Sequence, residues 1–546
     1  MSEQSDVVVI GGGHNGLACA CYLARAGLDV TVLESSDTPG GCINTVELLD
    51  GRGRMELGAY EHGGIKGSGV ADDLELESRF GLRFHYRDEV TLAPCDDGTA
   101  LGFFSSLEQT LDAITPIVGR EEAQAYRDFA GWATAALGLL RQTEAGPPPT
   151  IRQLAAAADL TLGSESGRLL QTLFSSASAT LRGQFTDERL QGPMAHWAAH
   201  SEQSPADPGT AAGTLMLAGG HGHPAVRPAG GSSETVYALV RCLEAAGGRL
   251  HCSTPVEQVE FAGGRAVAVH AGDRRWGATR AVVSAVDARR LFLGMMAPEE
   301  IPPSIRDEVR RIHVGHQNVS ELKVDAILTA PPEVPGPPGF DRSFMLSANT
   351  TTDIEKAFAS IKLGDLPERP PVMIAIPSSL EPGWAPEGGA SIWLSSFVPW
   401  APRDGAWDER RLEEAADLIW ATTEKALGTT LEATERRLTG PADWVARHGN
   451  PHANPNHVEM SLDQLLCFRP SPKLSGYATP IPNLFLTGAG THPGGGITGV
   501  PGRNAAAVAL EQLGLTPKRP LAERVRAQAA LVNDAARAAL ALRRNS

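Results

Sequence analysis

The sequence predicts an α/β fold in which a Rossmann-type dinucleotide-binding domain is interrupted by an inserted α+β domain. Three observations carry this prediction. The chain opens on Asp6-Val-Val-Val-Ile-Gly-Gly-Gly-His-Asn-Gly16, a strand running into glycines, and an acid, Glu34, follows. A second glycine-rich stretch, Asn483-Leu-Phe-Leu-Thr-Gly-Ala-Gly-Thr-His-Pro-Gly-Gly-Gly-Ile-Thr-Gly-Val-Pro-Gly-Arg-Asn504, stands near the other end. At 546 residues the chain exceeds what one core organises. It therefore leaves the cofactor domain after the first motif and returns to it at the second.

Val7 to Ile10 is a continuous apolar run, as a parallel strand buried on both faces requires. Gly11, Gly13 and Gly16 fill the G-x-G-x-x-G spacing: the first allows the tight turn, the second close approach of a pyrophosphate, the third helix-on-strand packing. The following helix, Asn15 to Ala26, presents free N–H groups and a positive dipole end to phosphates and stops at Gly27. Strand Asp29 to Leu33 ends in Glu34, about 20 residues past the glycines, where a carboxylate accepts ribose hydroxyls. Residues 101–220 read as mainly helical, broken at Gly146-Pro-Pro-Pro-Thr150, and 219–231 as a loop. Helix 234–246 and strands 249–253, 256–261, 266–271 and 281–285 restore α/β character. Segment 296–470 has many prolines, mixed strands and one clear helix, 408–427. Strand Leu484 to Leu486, a loop at 490–499 and a helix from Arg503 to Leu513 close the fold. The expected division is 1–100, 221–295 and 471–515 for the cofactor domain, 101–220 and 296–470 for the substrate domain, and 516–546 for a C-terminal helix.

A net charge of −16 argues against nucleic acid, which needs a basic surface. Seven scattered cysteines with no CxxC pair suggest neither a disulfide framework nor a zinc site. His221 and His223 alternate with glycine but lack further ligands at fixed spacing, so no metal is expected. No secretory signal and no apolar run of about 18 residues are read, which gives a cytoplasmic expectation. In the tail, Leu521, Val525, Ala529, Val532, Ala536, Ala539 and Leu542 form one face of a basic amphipathic helix. Such a helix docks on its own domain, on a homodimer mate or on a membrane surface.

The run Asn456-His-Val-Glu-Met-Ser-Leu-Asp-Gln-Leu-Leu-Cys-Phe-Arg-Pro470, with the glycine motif after it, resembles the phytoene-desaturase-like flavoproteins. It is similar above all to their branch called pyridine nucleotide-disulfide oxidoreductase domain-containing protein 2. The resemblance covers roughly residues 5–65, 222–290 and 455–515, and it implies the FAD-binding fold shared with the amine oxidases. It implies non-covalent FAD, with Gly11, Gly13, Asn15, Gly16 and Glu34 on the adenosine and pyrophosphate. Gly40 and Gly41 match the paired glycine at the pyrophosphate, and Val256 matches a backbone contact to adenine. The helix after Gly499 faces the flavin's pyrimidine ring, so Gly490, Ile497, Thr498, Gly499 and Val500 are cofactor candidates. Most relatives carry Arg after the paired glycine, where this chain has Cys42.

The resemblance further implies a large apolar substrate, often a polyene, and hydride exchange at the flavin. Met55-Glu-Leu-Gly-Ala-Tyr-Glu-His-Gly-Gly64 matches the segment beside the isoalloxazine, and its polar Tyr60-Glu61-His62 departs from the apolar residues of many carotenoid desaturases. Glu61, His62 and His492 are the candidate acids or bases, with His457 near them. For His492 and His457 a loop-shaping role stands beside the catalytic one. No second G-x-G-x-x-G follows a strand, so a dedicated nicotinamide domain is not expected, although NAD(P)H as a transient reductant stays open. The leading expectation is a dehydrogenase or desaturase of a long apolar molecule of secondary metabolism. The rivals are a polyene isomerase or reductive cyclase, an amine oxidase, and a non-enzymatic flavin-binding protein. Aromatic residues, 5% of the chain and unclustered along the motifs, speak against an amine-binding cage.

Overall fold

The computed structural model describes residues 2–48, 51 and 53–515; the expected C-terminal helix lies outside the described residues. One seven-stranded sheet collects strands from both ends of the chain. Its order is Gln258–Ala262, Arg265–Ala271, Arg274–Ser284, Ser2–Ile10, Val30–Leu33, Arg249–His251, with Leu484–Leu486 also pairing on Arg274–Ser284. Val7 to Ile10 lie parallel to Val30 to Leu33 on one side and to Ala281 to Ser284 on the other, which is why this run is apolar on both faces. Leu484–Leu486 lies parallel to Val282–Ser284, so the C-terminal motif enters two strands from the N-terminal one. Gln258–Ala262 and Arg265–Ala271 add antiparallel strands at the outer edge. Helices His14–Arg25, Ser233–Ala245 and Val500–Gln512 cover one face around a core of Leu17, Cys21, Leu239 and Ala505.

A second seven-stranded sheet belongs to the inserted domain, in the order Ala433–Thr439, Val319–Leu328, Ala390–Pro399, Val372–Ala375, Phe344–Leu346, Glu89–Pro94, Ala100–Phe104. The last two strands correct the expected boundary at residue 100. Glu89–Pro94 runs parallel to Phe344–Leu346 and leaves the cofactor domain well before that point. Short apolar strands carry no signal of which sheet they join. The expected loop at 219–231 likewise contains a strand, Ala225–Pro228, antiparallel to Phe84–Arg87.

The two faces of this sheet differ. Leu322, Val324, Ala326, Ile392 and Leu394 pack with Ala415, Ala416 and Ile419 of helix Glu409–Leu427, for which Asp408 is the N-cap. The alternate residues Glu321, Lys323, Asp325, Trp393 and Ser395 turn to the opposite face, toward the cofactor domain. There Ile327 packs on Leu48, Met55 and Leu57. Between residues 107 and 218 seven α-helices enclose a core built on Tyr126, Phe129, Phe185 and Met194. The expected proline break separates Arg120–Thr143 from Ile151–Leu162, whose Thr150 and Gln153 form a capping box.

Candidate active site

The first motif forms a trench at the C-terminal edge of the first sheet. Gly11 has φ +100°, and a Cβ on Gly16 would collide with its carbonyl oxygen, so both must be glycine for the turn and helix to form. Gly13 is different: it has φ −67° and nothing within 4 Å of where a Cβ would stand. Neither backbone nor packing demands glycine there, and the space a Cβ would enter is open. Gly40 donates from its amide to the Gly12 carbonyl at 2.9 Å, which brings the Gly40-Gly41 turn alongside Gly13. Gly40 has φ +123° and Gly41 φ +61°. Gly11, Gly13, Gly41, Cys42, Ala285 and Val286 keep partial exposure although they sit at the middle of the sheet. The Asn15 Oδ1 is buried with no partner. Glu34 accepts from the Gly12 amide at 2.7 Å and the Ser36 amide at 2.8 Å, which fixes its carboxylate over the trench end. Val256 follows Thr254, whose amide donates to the Glu34 carbonyl at 2.8 Å, so it lies along the same end. An open glycine-walled trench ending in a held carboxylate fits a dinucleotide.

The second motif packs against the first. Helix Val500–Gln512 starts after Gly499, φ +67°, and its Gly502 approaches helix His14–Arg25 so closely that a Cβ would meet the Asn15 carbonyl. Gly64 similarly abuts the carbonyls of Gly496 and Ile497, and the Ser68 hydroxyl donates to the Thr498 carbonyl at 2.7 Å. Gly490 lies under the His457 side chain. Gly495, Ile497 and Thr498 stay partly exposed at the trench's other end.

Between this end and the second sheet lies an aromatic wall. The Tyr60 ring packs on Phe344 with centroids 5.1 Å apart and on Trp393 at 6.0 Å; Trp197 meets Phe344 at 6.4 Å. Leu346, Met373 and Ala375 complete the cluster. These residues are far apart in sequence, so the expectation that aromatics do not gather at the motifs is corrected by the fold. Both inner rings already carry a cation. The fully buried Arg227 guanidinium sits 4.0 Å from the Tyr60 centroid and 2.8 Å from Glu56, and the Lys323 ammonium sits 5.2 Å from that of Trp393 and 3.0 Å from Asp325. Burial drives the Asp325 carboxyl up to about 6 against the pull of Lys323. Glu61 is paired with Arg87, leaving its Oε2 unpartnered.

His62 is fully buried; its Nδ1 lies 2.8 Å from Thr235 Oγ1 and its Nε2 has no partner. Burial, with His14 and Arg227 adding, pushes its pKa down to about 3, so it is neutral at ordinary pH. His492 points into the helical segment, with Nε2 3.3 Å from the Thr143 carbonyl oxygen, and its own carbonyl accepts from the Tyr477 hydroxyl at 2.6 Å. Burial holds His492 down at about 4. Burial, then Glu321, raises the Cys42 thiol to about 12, which keeps it protonated. Beyond Cys42 lie two acids the sequence reading passed over. Glu202 has φ +60°, is buried and has both carboxylate oxygens unpartnered. Glu321 faces it from the second sheet, and burial raises the pKa of each. Burial lowers the pKa of His200, which follows helix Glu188–Ala199.

The sequence matches the family described as flavin containing amine oxidoreductase over residues 16–510. The chain belongs to this family. It is a flavin-dependent oxidoreductase, and its relatives include desaturases. It is 29% identical over 554 residues to the mouse (Mus musculus) pyridine nucleotide-disulfide oxidoreductase domain-containing protein 2, covering 94% of each chain. It is 26% identical to the hydroxyneurosporene desaturase of Cereibacter sphaeroides, over 93% of this chain and 98% of that one. Among solved structures, an oxidoreductase from Methanosarcina mazei superposes with a TM-score of 0.57 at 16% identity, over 94% of this chain and all of that one, which shows the shared fold.

Within this flavin amine oxidoreductase fold the sequence-predicted candidates fall into two groups. Gly11, Gly13, Asn15, Gly16, Glu34, Gly40, Gly41 and Val256 gather at one end of the trench, and Gly490 with Ile497 to Val500 at the other. Glu61 and His62 stand beside the aromatic wall, whereas His492 is committed to the helical segment. Arg227, Lys323, Glu202, Glu321 and Gly502 were missed. One sign of them was in the sequence: Ser320-Glu-Leu-Lys-Val-Asp325 alternates charged and apolar residues within an otherwise apolar strand. That pattern reads as a solvent face, yet here it faces the site. Among the described residues, no helix is long and apolar enough to cross a membrane.

Proposed function

We propose that the chain is an FAD-dependent dehydrogenase of a long, largely apolar, polyene small molecule. The observation that carries this reading is the aromatic and aliphatic wall of Tyr60, Phe344, Trp393, Leu346 and Met373 between trench and sheet, with its two ring faces already occupied by protein cations. A substrate ammonium needs such faces free and would meet like charge from Arg227 and Lys323. An apolar chain needs only the dry surface. FAD would be held non-covalently by Gly11, Gly13, Gly40, Gly41 and Glu34, and would supply hydride exchange at its N5. The protein's own part is to lay the substrate along the wall, exclude water and handle the accompanying proton.

Glu202 and Glu321, which face each other beyond Cys42, are the groups suited to that proton, and His62 stays neutral with its Nε2 unpartnered. His492 takes no part in the chemistry in this reading, because its ring is bonded into the helical segment. A second reading, isomerisation or NAD(P)H-driven reductive cyclisation, is favoured by the same acids, since burial raises their pKa and so favours the proton-donating form.

Anaerobic stopped-flow spectroscopy of the purified holoprotein separates the readings. Bleaching of the flavin by a polyene alone, with recovery on adding a quinone or oxygen, is the expected result. Bleaching by NADPH ahead of any substrate transfers the assignment to the reductive reading. Bleaching by amines and not by polyenes overturns both.

A further inference from the structure

The loop His313-Val-Gly-His316 links helix Pro303–Arg311 to strand Val319–Leu328, and Glu459 stands in the segment before the C-terminal motif. One ligand-type atom from each of His313, His316 and Glu459 lies within 4.8 Å of the others. We propose that these three residues bind one divalent transition-metal ion of the zinc class, at a site separate from the flavin trench. Two imidazoles and a carboxylate are a donor set suited to such an ion.

Three features support the assignment. His313 is already held as metal-bound histidines are: its Nδ1 is 3.1 Å from Glu459 Oε2, and its other nitrogen, Nε2, is 3.0 Å from Asp463 Oδ2. A carboxylate on the distal nitrogen fixes tautomer and ring direction and strengthens the ligating one. Glu459 is buried and oriented, because its Oε1 accepts from the Gln317 amide at 3.2 Å. His316 is exposed and stacks on His313 with centroids 4.3 Å apart and planes 3° off parallel. Parallel rings do not share a metal in both planes, so coordination requires His316 to swing about its side-chain torsions. Solvent on its outer side leaves room for that movement.

The test uses full-length holoprotein stripped with a chelator and titrated with Co²⁺, followed by competition with Zn²⁺. One equivalent of Co²⁺ giving visible d–d absorption, displaced by Zn²⁺, is expected. His316→Ala should abolish that spectrum while flavin content and far-UV circular dichroism stay unchanged, because the side chain is exposed. Asp463→Asn should weaken binding by about 10–100-fold. No d–d absorption in the parent protein, or an identical spectrum in His316→Ala, overturns the site.

Discussion

Two glycines three residues apart do different jobs. Gly16 is required by the protein itself, because any Cβ strikes the Gly11 carbonyl; Gly13 is required by nothing in the protein within 4 Å. Gly13→Ala should therefore leave the melting temperature of the apoprotein unchanged and weaken flavin binding by about 1–3 kcal/mol, about 5- to 150-fold in Kd. Gly16→Ala should lower both. Equilibrium dialysis and thermal melts of the two apoproteins decide it, and equal destabilisation would remove the case for a ligand over Gly13. His62 gives a pH prediction. Its folded pKa, about 3, lies below the ordinary 6.5. Between those values the unfolded chain binds the proton and the folded one does not, so stability falls as pH drops through that window, by about 1.4 kcal/mol per pH unit. His62→Gln lacks this titration. Its urea midpoint should fall less than the parent's between about pH 7 and pH 5, and parallel falls would show that His62 takes up its proton in the folded state.

At the scale of elements, strand Val319–Leu328 joins sequence to site. Its even-numbered residues from Leu322 onward serve the helix-covered core, and its odd-numbered charges serve the interface with the cofactor domain. Strand Ala225–Pro228 does the same through Arg227, which meets Glu56 of strand Gly53–Glu56. Removing one partner of a buried pair leaves the other charge uncompensated. Arg227→Met should cost about 3–5 kcal/mol of stability, and Glu56→Gln combined with Arg227→Met should recover a large part of it. Denaturant unfolding of the single and double variants measures the coupling, and simple additivity would mean that the two charges do not sense each other. If the wall binds an apolar chain, Trp393→Ala should raise KM for the polyene with a smaller effect on kcat, since the ring supplies binding surface and no reacting atom.

For the whole molecule, the cofactor site is closed only when both ends of the chain meet. Strands Ser2–Ile10 and Leu484–Leu486 flank one strand, Arg274–Ser284, and Gly502 seats the last described helix on the first. Cofactor binding should then stabilise the entire cofactor domain. FAD at about a hundred times its Kd should add about 2.7 kcal/mol. FMN, which lacks the adenosine that Glu34 and Val256 are placed to meet, should raise the melting temperature far less. Equal shifts with FMN and FAD would overturn the assignment of that end of the trench.

The first motif, the return of the chain at Leu484–Leu486 and the inserted domain were legible in the sequence because each rests on local rules. Positive-φ glycines, a strand buried on both faces and a helix N-terminus are fixed by residues adjacent in the chain. The edge strands at 89–104 and 225–228 were not legible, because strand propensity does not name a sheet. The aromatic wall and the charges of Arg227, Lys323, Glu202 and Glu321 were decided by tertiary structure alone. They come from segments far apart in sequence, and alternation within one strand has the same period whether its polar face meets water or an interior site.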